Sequence, residues 1–295
     1  MKKKVKTMKM RYPANVLLMA GLTVVSILMI APLLIMIFTS LKGDSEIANT
    51  TGSLLPKEWK FENYLLAMQV GNWAVYFKNS LIVTVLAVGG SLIFNSLSGY
   101  TFARVTFKGR DLIFIALLLG LMVPPQVTII PQFILLKSVP LFGGNDLFGQ
   151  GGQGWLDSYY ALIVPELSGS LGIFLARQFY LGFPREMDEA ASIDGSGIFR
   201  SYWRIYLPLS GPLLATLGIL KTVHVWNDFF HPLIYTNSEA MRTIQLGLQV
   251  FHGQYEIKFN LLMAASVVVS LPLCIAFFVF QRHFVQSLIP TSVKG

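Results

Sequence analysis

Residues 16–38 form an uninterrupted run of 23 residues without a charged side chain. A helix of about 20 residues crosses the hydrocarbon core of a bilayer, about 30 Å at about 1.5 Å per residue. A run of this length and apolarity is therefore a membrane span. It follows MKKKVKTMKMRY, which looks like the basic leader of a signal peptide. The apolar run of such a peptide is only about 7–15 residues long, so this segment reads as a retained helix. Five further stretches qualify: residues 80–100; 112–134, interrupted by Pro124, Pro125 and Pro131; 160–181, with Pro165, Glu166 and Arg177; 209–230, with Lys221, His224 and Asp228; and 261–280, with Pro272 and Cys274. Composition agrees. Hydrophobic residues make up 54% of the chain and charged residues 13%, against about 25% charged in soluble domains. A soluble globular protein, a disordered chain and a disulfide scaffold are excluded. The expected fold is an all-α integral membrane protein with six transmembrane helices.

Lys and Arg set the orientation. Fifteen lie in the N-terminal tail, the second-to-third and fourth-to-fifth connections and the C-terminus; seven lie on the other side, at Lys42, Lys57, Lys60, Lys78, Lys137, Arg242 and Lys258. Basic loops stay in the cytoplasm, so both termini are expected there. The net charge of +8 is then a topology signal, and nucleic acid is not an expected partner. The expected organisation is a cytoplasmic tail (1–12), a transmembrane domain (13–283) and a C-terminal cytoplasmic tail (284–295). Outside, KEWKFENYLLAM reads as a short amphipathic stretch, and the glycine-rich 137–158 connection as a mobile loop.

The motifs of several chemistries are missing. There is no phosphate-binding G-x-x-x-x-G-K-[ST] loop, H-E-x-x-H, Cys-x-x-Cys or G-x-S-x-G. His224 and His231 stand seven residues apart on one expected helix, too far for one metal, and no carboxylate completes a shell. No catalytic residue, metal site or cofactor of the chain's own is expected.

The most informative connection is 182–208, GFPREMDEAASIDGSGIFRSYWRIYLP. Pro184 suits a helix start, and Glu186, Asp188 and Glu189 fall in the first turns, where the helix dipole favours negative charge. Gly195-Ser196-Gly197 breaks the helix, and residues 198–205 restart it with Phe199, Tyr202, Trp203 and Ile205 as apolar groups. On pattern alone two readings are equal: a helix that docks in another protein's groove, or an interfacial amphipathic helix without a partner.

EAASIDG followed by IYLPLSGP resembles the EAA signature of binding-protein-dependent ABC importer permeases, with Glu189, Ala190, Ala191, Gly195, Ile205, Leu207 and Pro208 at the matching positions. RTIQLGL, VWNDFFHPLIY and the terminal VKG look like the carbohydrate-importing, MalG-like branch; Ser287, Pro290 and Thr291 depart from its usual tail. The resemblance implies a multi-pass subunit of a prokaryotic cytoplasmic membrane, importing a carbohydrate, with an oligosaccharide the expected cargo. It implies a second homologous permease, two ATPase subunits that bind ATP and Mg, and an extracytoplasmic solute-binding protein. The 182–208 connection would be the coupling helix, with Glu189, Ala190, Ala191, Asp194, Gly195 and Pro208 as the ATPase-coupling residues.

Polar groups inside spans face cavities or partner helices. His224, Trp226, Asn227 and Asp228 are candidates to line a sugar pathway; the alternative is that Asn227 and Asp228 tie the helix to its neighbours and Trp226 anchors it at the interface. Asn95, Ser96 and Ser98 read as helix-packing groups, and Glu166 as close enough to the outer end of its span to meet water. Rival functions are an ABC permease for peptides or amino acids and a secondary transporter; the latter would show paired repeats and broken helices.

Overall fold

The computed structural model describes residues 12–48, 53–252 and 258–288. The Lys-rich residues 1–11 and the tail positions Pro290 and Thr291 lie outside the described residues. The main helices are α1 (Tyr12–Ser40), α2 (Trp73–Arg104), α3 (Arg110–Leu119), α4 (Pro125–Lys137), α5 (Ser170–Leu181), α6 (Glu186–Ile193), α7 (Gly211–Trp226), α8 (Phe230–Tyr235) and α9 (Phe259–Leu288). Four segments among the described residues are long and apolar enough to cross a membrane: Val16–Ser40, Trp73–Arg104, Tyr159–Leu181 and Phe259–Val279. Two bent pairs pass the same test together, Arg110–Met122 with Pro125–Lys137 and Ile198–Leu209 with Gly211–Trp226.

Those pairs differ from the two straight spans expected there. The third expected span bends by 109°. Pro124 is extended and Pro125 opens α4; a residue before proline is driven out of the helical region, so no helix passes through Val123-Pro124-Pro125. The fifth expected span, residues 209–230, is one unbroken helix only over Gly211–Trp226, and the preceding segment meets it at 79°. Asn227 and Asp228 therefore leave the helix and stand in the turn before α8.

The chain divides into two compact units, residues 1–70 with 250–268 and residues 71–249 with 269–295. In the first, α1 is exposed from Val16 to Ile30. Its C-terminal end is held by the amphipathic stretch, which forms the helix Glu62–Gln69. The Asn63 amide donates to the carbonyls of Ser40 at 2.8 Å and Lys42 at 2.9 Å, and the Ser40 and Tyr64 hydroxyls bond at 2.8 Å. Carbonyls that a helix end leaves unpaired are met in this way.

The second unit is built on α2, packed by α5 and α7. The buried face of α2 is a stripe of small and polar residues: Ser80, Thr84, Ala87, Ser91, Asn95 and Gly99. Such stripes let helices approach closely where lipid removes the hydrophobic drive between them. At Gly99 the approach is complete, since a Cβ there would lie 2.3 Å from Ala176 Cβ and 2.7 Å from the Arg177 nitrogen. Asn95 and Ser96 are packing groups. The Ser96 hydroxyl bonds Tyr180 Oη at 2.7 Å. Asn95 Oδ1 accepts from the Gly169 N–H at 3.0 Å, where the fourth span is interrupted between the 3₁₀ turn Val164–Glu166 and α5.

The glycine-rich connection, expected as a mobile loop, is knit together instead. Asn145 donates to the Lys137 and Val139 carbonyls and accepts from the Gly152 N–H at 2.7 Å. Asp146 Oδ1 accepts from the N–H groups of Phe148 and Gln150, each at 2.8 Å. Short polar side chains replace the secondary-structure partners that this backbone lacks. After the loop, Asp157 Oδ1 accepts from the Asn237 and Ser238 N–H groups at 3.0 Å and from the Ser238 hydroxyl at 2.9 Å.

Burial alone would raise the Asp157 carboxyl, but these hydrogen bonds prevail and hold it below the usual carboxylate range. A depressed carboxyl stabilises the fold above its unfolded value of about 3.9, and the gain is lost as pH falls through the folded value. Asp157→Asn is expected to cost about 1 kcal/mol at pH 7, discounted for a carboxylate partly open to water. Thermal unfolding of the purified protein checks this: the gap to wild type should persist from pH 7 to about pH 4 and close below it. A gap unchanged at pH 3 would show that the charge is not its source.

Candidate functional site

Two groupings of side chains answer the sequence expectations, one on the 182–208 connection and one where the fourth and fifth spans face each other. In the connection, α6 spans Glu186–Ile193 and buries only Ala191. Glu189, Ala190, Asp194 and Pro208 are exposed, and Ile193 is 86% exposed. Gly195 ends the turn at φ +69° with nothing within 4 Å of an added Cβ. It is required for its left-handed conformation and not for a close approach. The restart is not the plain helix expected. Ile198–Ser201 leads into a π turn, Tyr202–Tyr206, whose first and last residues are buried. Ile198, Phe199 and Trp203 point outward, with exposures of 58%, 63% and 42%. The connection therefore shows a charged and apolar surface beyond the spans, while Tyr202 and Tyr206 pack with Tyr100 and Tyr180 inside.

The second grouping lies on the fourth and fifth spans. Glu166 is not in outer water. It is buried and accepts from the Lys221 ammonium, with His224 Nε2 at 3.3 Å from the same oxygen. One turn further along, Asp228 Oδ2 bonds His231 Nδ1 at 2.8 Å. Burial would lower the His231 pKa, but the Asp228 hydrogen bond and charge prevail and raise it. Glu166, Asp228 and His231 bring ligand-type atoms within 4.8 Å of one another. The histidine spacing did not foresee these carboxylates. Each is already engaged, Glu166 by Lys221 and Asp228 by His231.

The four candidate pathway residues separate. His224 and Asn227 are exposed, and Asp228 is half-buried. Trp226 is turned inward, its indole N–H donating to the Val269 carbonyl at 3.1 Å. Asn227 Nδ2 returns to the Val223 carbonyl at 2.9 Å, and its Oδ1 accepts from Gln245 at 3.1 Å. A cavity of about 310 Å³ opens beside the cluster, lined by Ser91, Asn95, Gly169, Gly172, Lys221 and His224 among others. Sequence reading missed the Glu166–Lys221 pair, although the signal was present: an acid in the fourth span and a base in the fifth, each needing a partner.

Removing one member of a buried pair strands the other, at a cost of about 3–5 kcal/mol, whereas replacing both with apolar groups is often neutral. Glu166→Gln should therefore lower the thermal midpoint of the purified protein, and Glu166→Gln with Lys221→Met should recover most of the loss. A double variant no better than the single would mean the two groups are not coupled.

Comparison with known proteins places these features in context. Residues 95–290 match the family described as binding-protein-dependent transport system inner membrane component. The arabinooligosaccharides transport system permease protein AraQ of Halalkalibacterium halodurans is 32% identical over 95% of this chain and 96% of its own. The trehalose/maltose transport system permease protein MalG of Thermococcus litoralis is 30% identical over 95% and 97%. The probable starch degradation products transport system permease protein AmyC of Thermoanaerobacterium thermosulfurigenes is 34% identical over 92% and 94%. Among solved structures, a chain of a bacterial ABC transporter involved in the import of the acidic polysaccharide alginate shares the fold, with a TM-score of 0.76 at 18% identity over 96% of this chain and 100% of that one. A chain from a bacterial alginate ABC transporter in complex with an alginate pentasaccharide-bound periplasmic protein matches with a TM-score of 0.64 at 15% identity, over 92% and 94%.

Proposed function

This chain belongs to the family of binding-protein-dependent transport system inner membrane components, and from that membership we propose that it is one of two membrane-spanning subunits of an ATP-driven importer of oligosaccharides. A second, homologous permease completes the pathway, two cytoplasmic ATPases bind ATP and Mg, and an extracytoplasmic binding protein delivers the sugar. The chain itself hydrolyses nothing; its work is mechanical. The sugar assignment rests on the relatives, whose names carry arabino-oligosaccharides, trehalose, maltose and starch fragments.

The observation that carries the mechanical part is the surface of the 182–208 connection. An isoleucine 86% exposed on a polar segment outside the apolar spans, beside an exposed Glu189, is a surface awaiting a groove. Glu189 and Asp194 frame it with negative charge, Ala190 leaves the helix flank slim, and the buried Ala191 on one arm and Tyr202 and Tyr206 on the other hold the connection to the protein. ATP favours closure of the ATPase pair, and the docked connection carries that closure into the spans. The shift is limited by the difference in ATP affinity between the two states. On the sugar side, His224, Asn227 and Asp228 offer donors and acceptors to hydroxyls, with Trp226 packed behind them. The Glu166–Lys221 pair keeps net charge low beside the cavity, which suits a neutral cargo.

Six crossings with cytoplasmic termini follow from the Lys/Arg bias. A maleimide that cannot cross the membrane should label Phe148→Cys, at a position 81% exposed, only from outside; labelling only from the cytoplasm would sink this orientation. Glu189→Ala removes a charge-assisted contact of about 1.5–3 kcal/mol, a loss of docking of about tenfold to a hundredfold at roughly 1.4 kcal/mol per decade. Gly195→Val instead forces a branched residue into the left-handed region and misplaces α6. Uptake of a panel of glucan, arabinan and chitin oligosaccharides, with pull-down of the ATPase, checks both. Both variants should insert normally, lose uptake and retain less ATPase. Normal uptake and retention in both would reduce the connection to an interfacial helix.

A further inference from the structure

By sequence, Arg104 is one cation among those that set topology. Such a cation needs only to remain in water, yet the Arg104 side chain is 6% exposed. Burying a guanidinium is unfavourable unless its donors are met. Here Nε donates to the Tyr180 carbonyl at 3.0 Å, Nη2 to the Tyr180 carbonyl at 2.7 Å and to the Phe183 carbonyl at 2.5 Å, and Nη1 to Asp188 Oδ2 at 2.9 Å. Four of the five N–H groups of an arginine are thus used. The Tyr206 ring lies 5.4 Å from its Cζ, and the Tyr206 hydroxyl donates to the other Asp188 oxygen, Oδ1.

Arg104 and its partners come from four places in the chain. Arg104 is the last residue of α2, Tyr180 and Phe183 mark the end of α5, Asp188 sits in the first turn of α6, and Tyr206 closes the π turn. Helix α6 has eight residues and a single buried one, Ala191. A helix that short has little stability of its own, so its orientation is set by what it is tied to. Asp188 lies three residues before Ala191 and shares its face; Glu189 and Ile193 lie on the exposed side. An apolar contact at Ala191 alone would let α6 roll or slide. A planar fork bonded to two carbonyls and a carboxylate does not, and a lysine, with a point charge and no fork, cannot reproduce that geometry.

We propose that Arg104 is a positioning residue for the coupling connection: with Asp188 and Tyr206 it locks α6 and the π turn to the cytoplasmic end of α2, so that a push on the exposed face of α6 moves the span that carries Asn95 and Ser91 as one body. This rests on the coupling role proposed above for the 182–208 connection.

The test uses the permease purified with its partner subunits, in a Cys274→Ser background. Spin labels are placed at Ile193→Cys on α6 and Leu112→Cys on α3, positions 86% and 73% exposed. Pulsed dipolar spectroscopy should show one narrow distance in the otherwise wild-type protein. Arg104→Gln should at least double its width at normal insertion, Arg104→Lys should recover part of the narrowing, and Tyr206→Phe, which removes a single hydroxyl, should broaden it to an intermediate degree. Uptake of the same oligosaccharide panel per ATP hydrolysed should fall in the order of the widths. Widths equal to wild type in both Arg104→Gln and Tyr206→Phe would overturn the proposal, as would a width that Arg104→Lys restores fully to that of wild type. Cross-linking from Ile193→Cys to the ATPase scores the coupling reading separately. No cross-link in the otherwise wild-type protein would sink that reading, while the label widths would still decide whether Arg104 sets the orientation of α6.

Discussion

The approach of α5 to α2 is the constraint on which the larger unit depends. At Gly99 the two backbones are so close that a single added carbon would overlap Ala176. In lipid, helices gain little by hiding apolar surface from one another, so contact must come from dispersion at short range and from hydrogen bonds. The small-residue stripe of α2 supplies the first. Asn95 and Ser96 supply the second, and they do so at chosen places: Ser96 on Tyr180 and Asn95 on the interruption before α5. Once α5 is held this closely, its end stands beside Arg104, and the Tyr180 and Phe183 carbonyls become available to it.

Two acid–base pairs stand near helix breaks in the fourth and fifth spans. The fourth span is interrupted between Glu166 and Ser170 and α7 stops at Trp226; Glu166, with its partner Lys221, and the Asp228–His231 pair sit beside those two breaks. A broken helix frees backbone groups that must be met, and charged side chains are tolerable only where they meet each other. The same positions that weaken a span as an apolar rod are the ones that bring polar side chains beside the cavity lined by Lys221 and His224.

Much of this was legible in the sequence. The first, second and last spans are plain because length and apolarity suffice to define them, and the 182–208 connection is plain because Pro184, the acidic first turn and Gly195 each carry local information. The third and fifth spans bend where hydropathy predicts straight rods, because hydropathy averages over direction: Val123-Pro124-Pro125 is apolar enough to count toward a span and yet cannot continue a helix. The glycines of the 137–158 loop were read as freedom, when Asn145 and Asp146 close that loop on itself. Lys221 and Glu166 were each visible as costly, but their pairing links residues far apart in the chain and needs the fold. Arg104 was hidden for another reason. Its place in a basic loop already had a sufficient explanation in topology, so nothing in the residue order asked for a second.

The structure also bears on how a small movement can travel through such a chain. Apolar contacts between helices are non-directional and admit sliding, whereas an ion pair with carbonyl bonds on both sides has one good geometry. The chain uses both kinds of contact. Small-residue packing runs along α2 and α5, pinned by the Ser96 and Asn95 bonds, and further directional bonds gather at the Arg104 end of α2 and at the Asp157 and Asn145 knots. On the role proposed above for the 182–208 connection, motion applied to it would pass through the Arg104 joint to α2 and α5 together, because the Ser96 and Asn95 bonds tie α2 to α5 and to the turn before it. On that reading the joint would keep its shape while the helices beside the polar cavity shift with it.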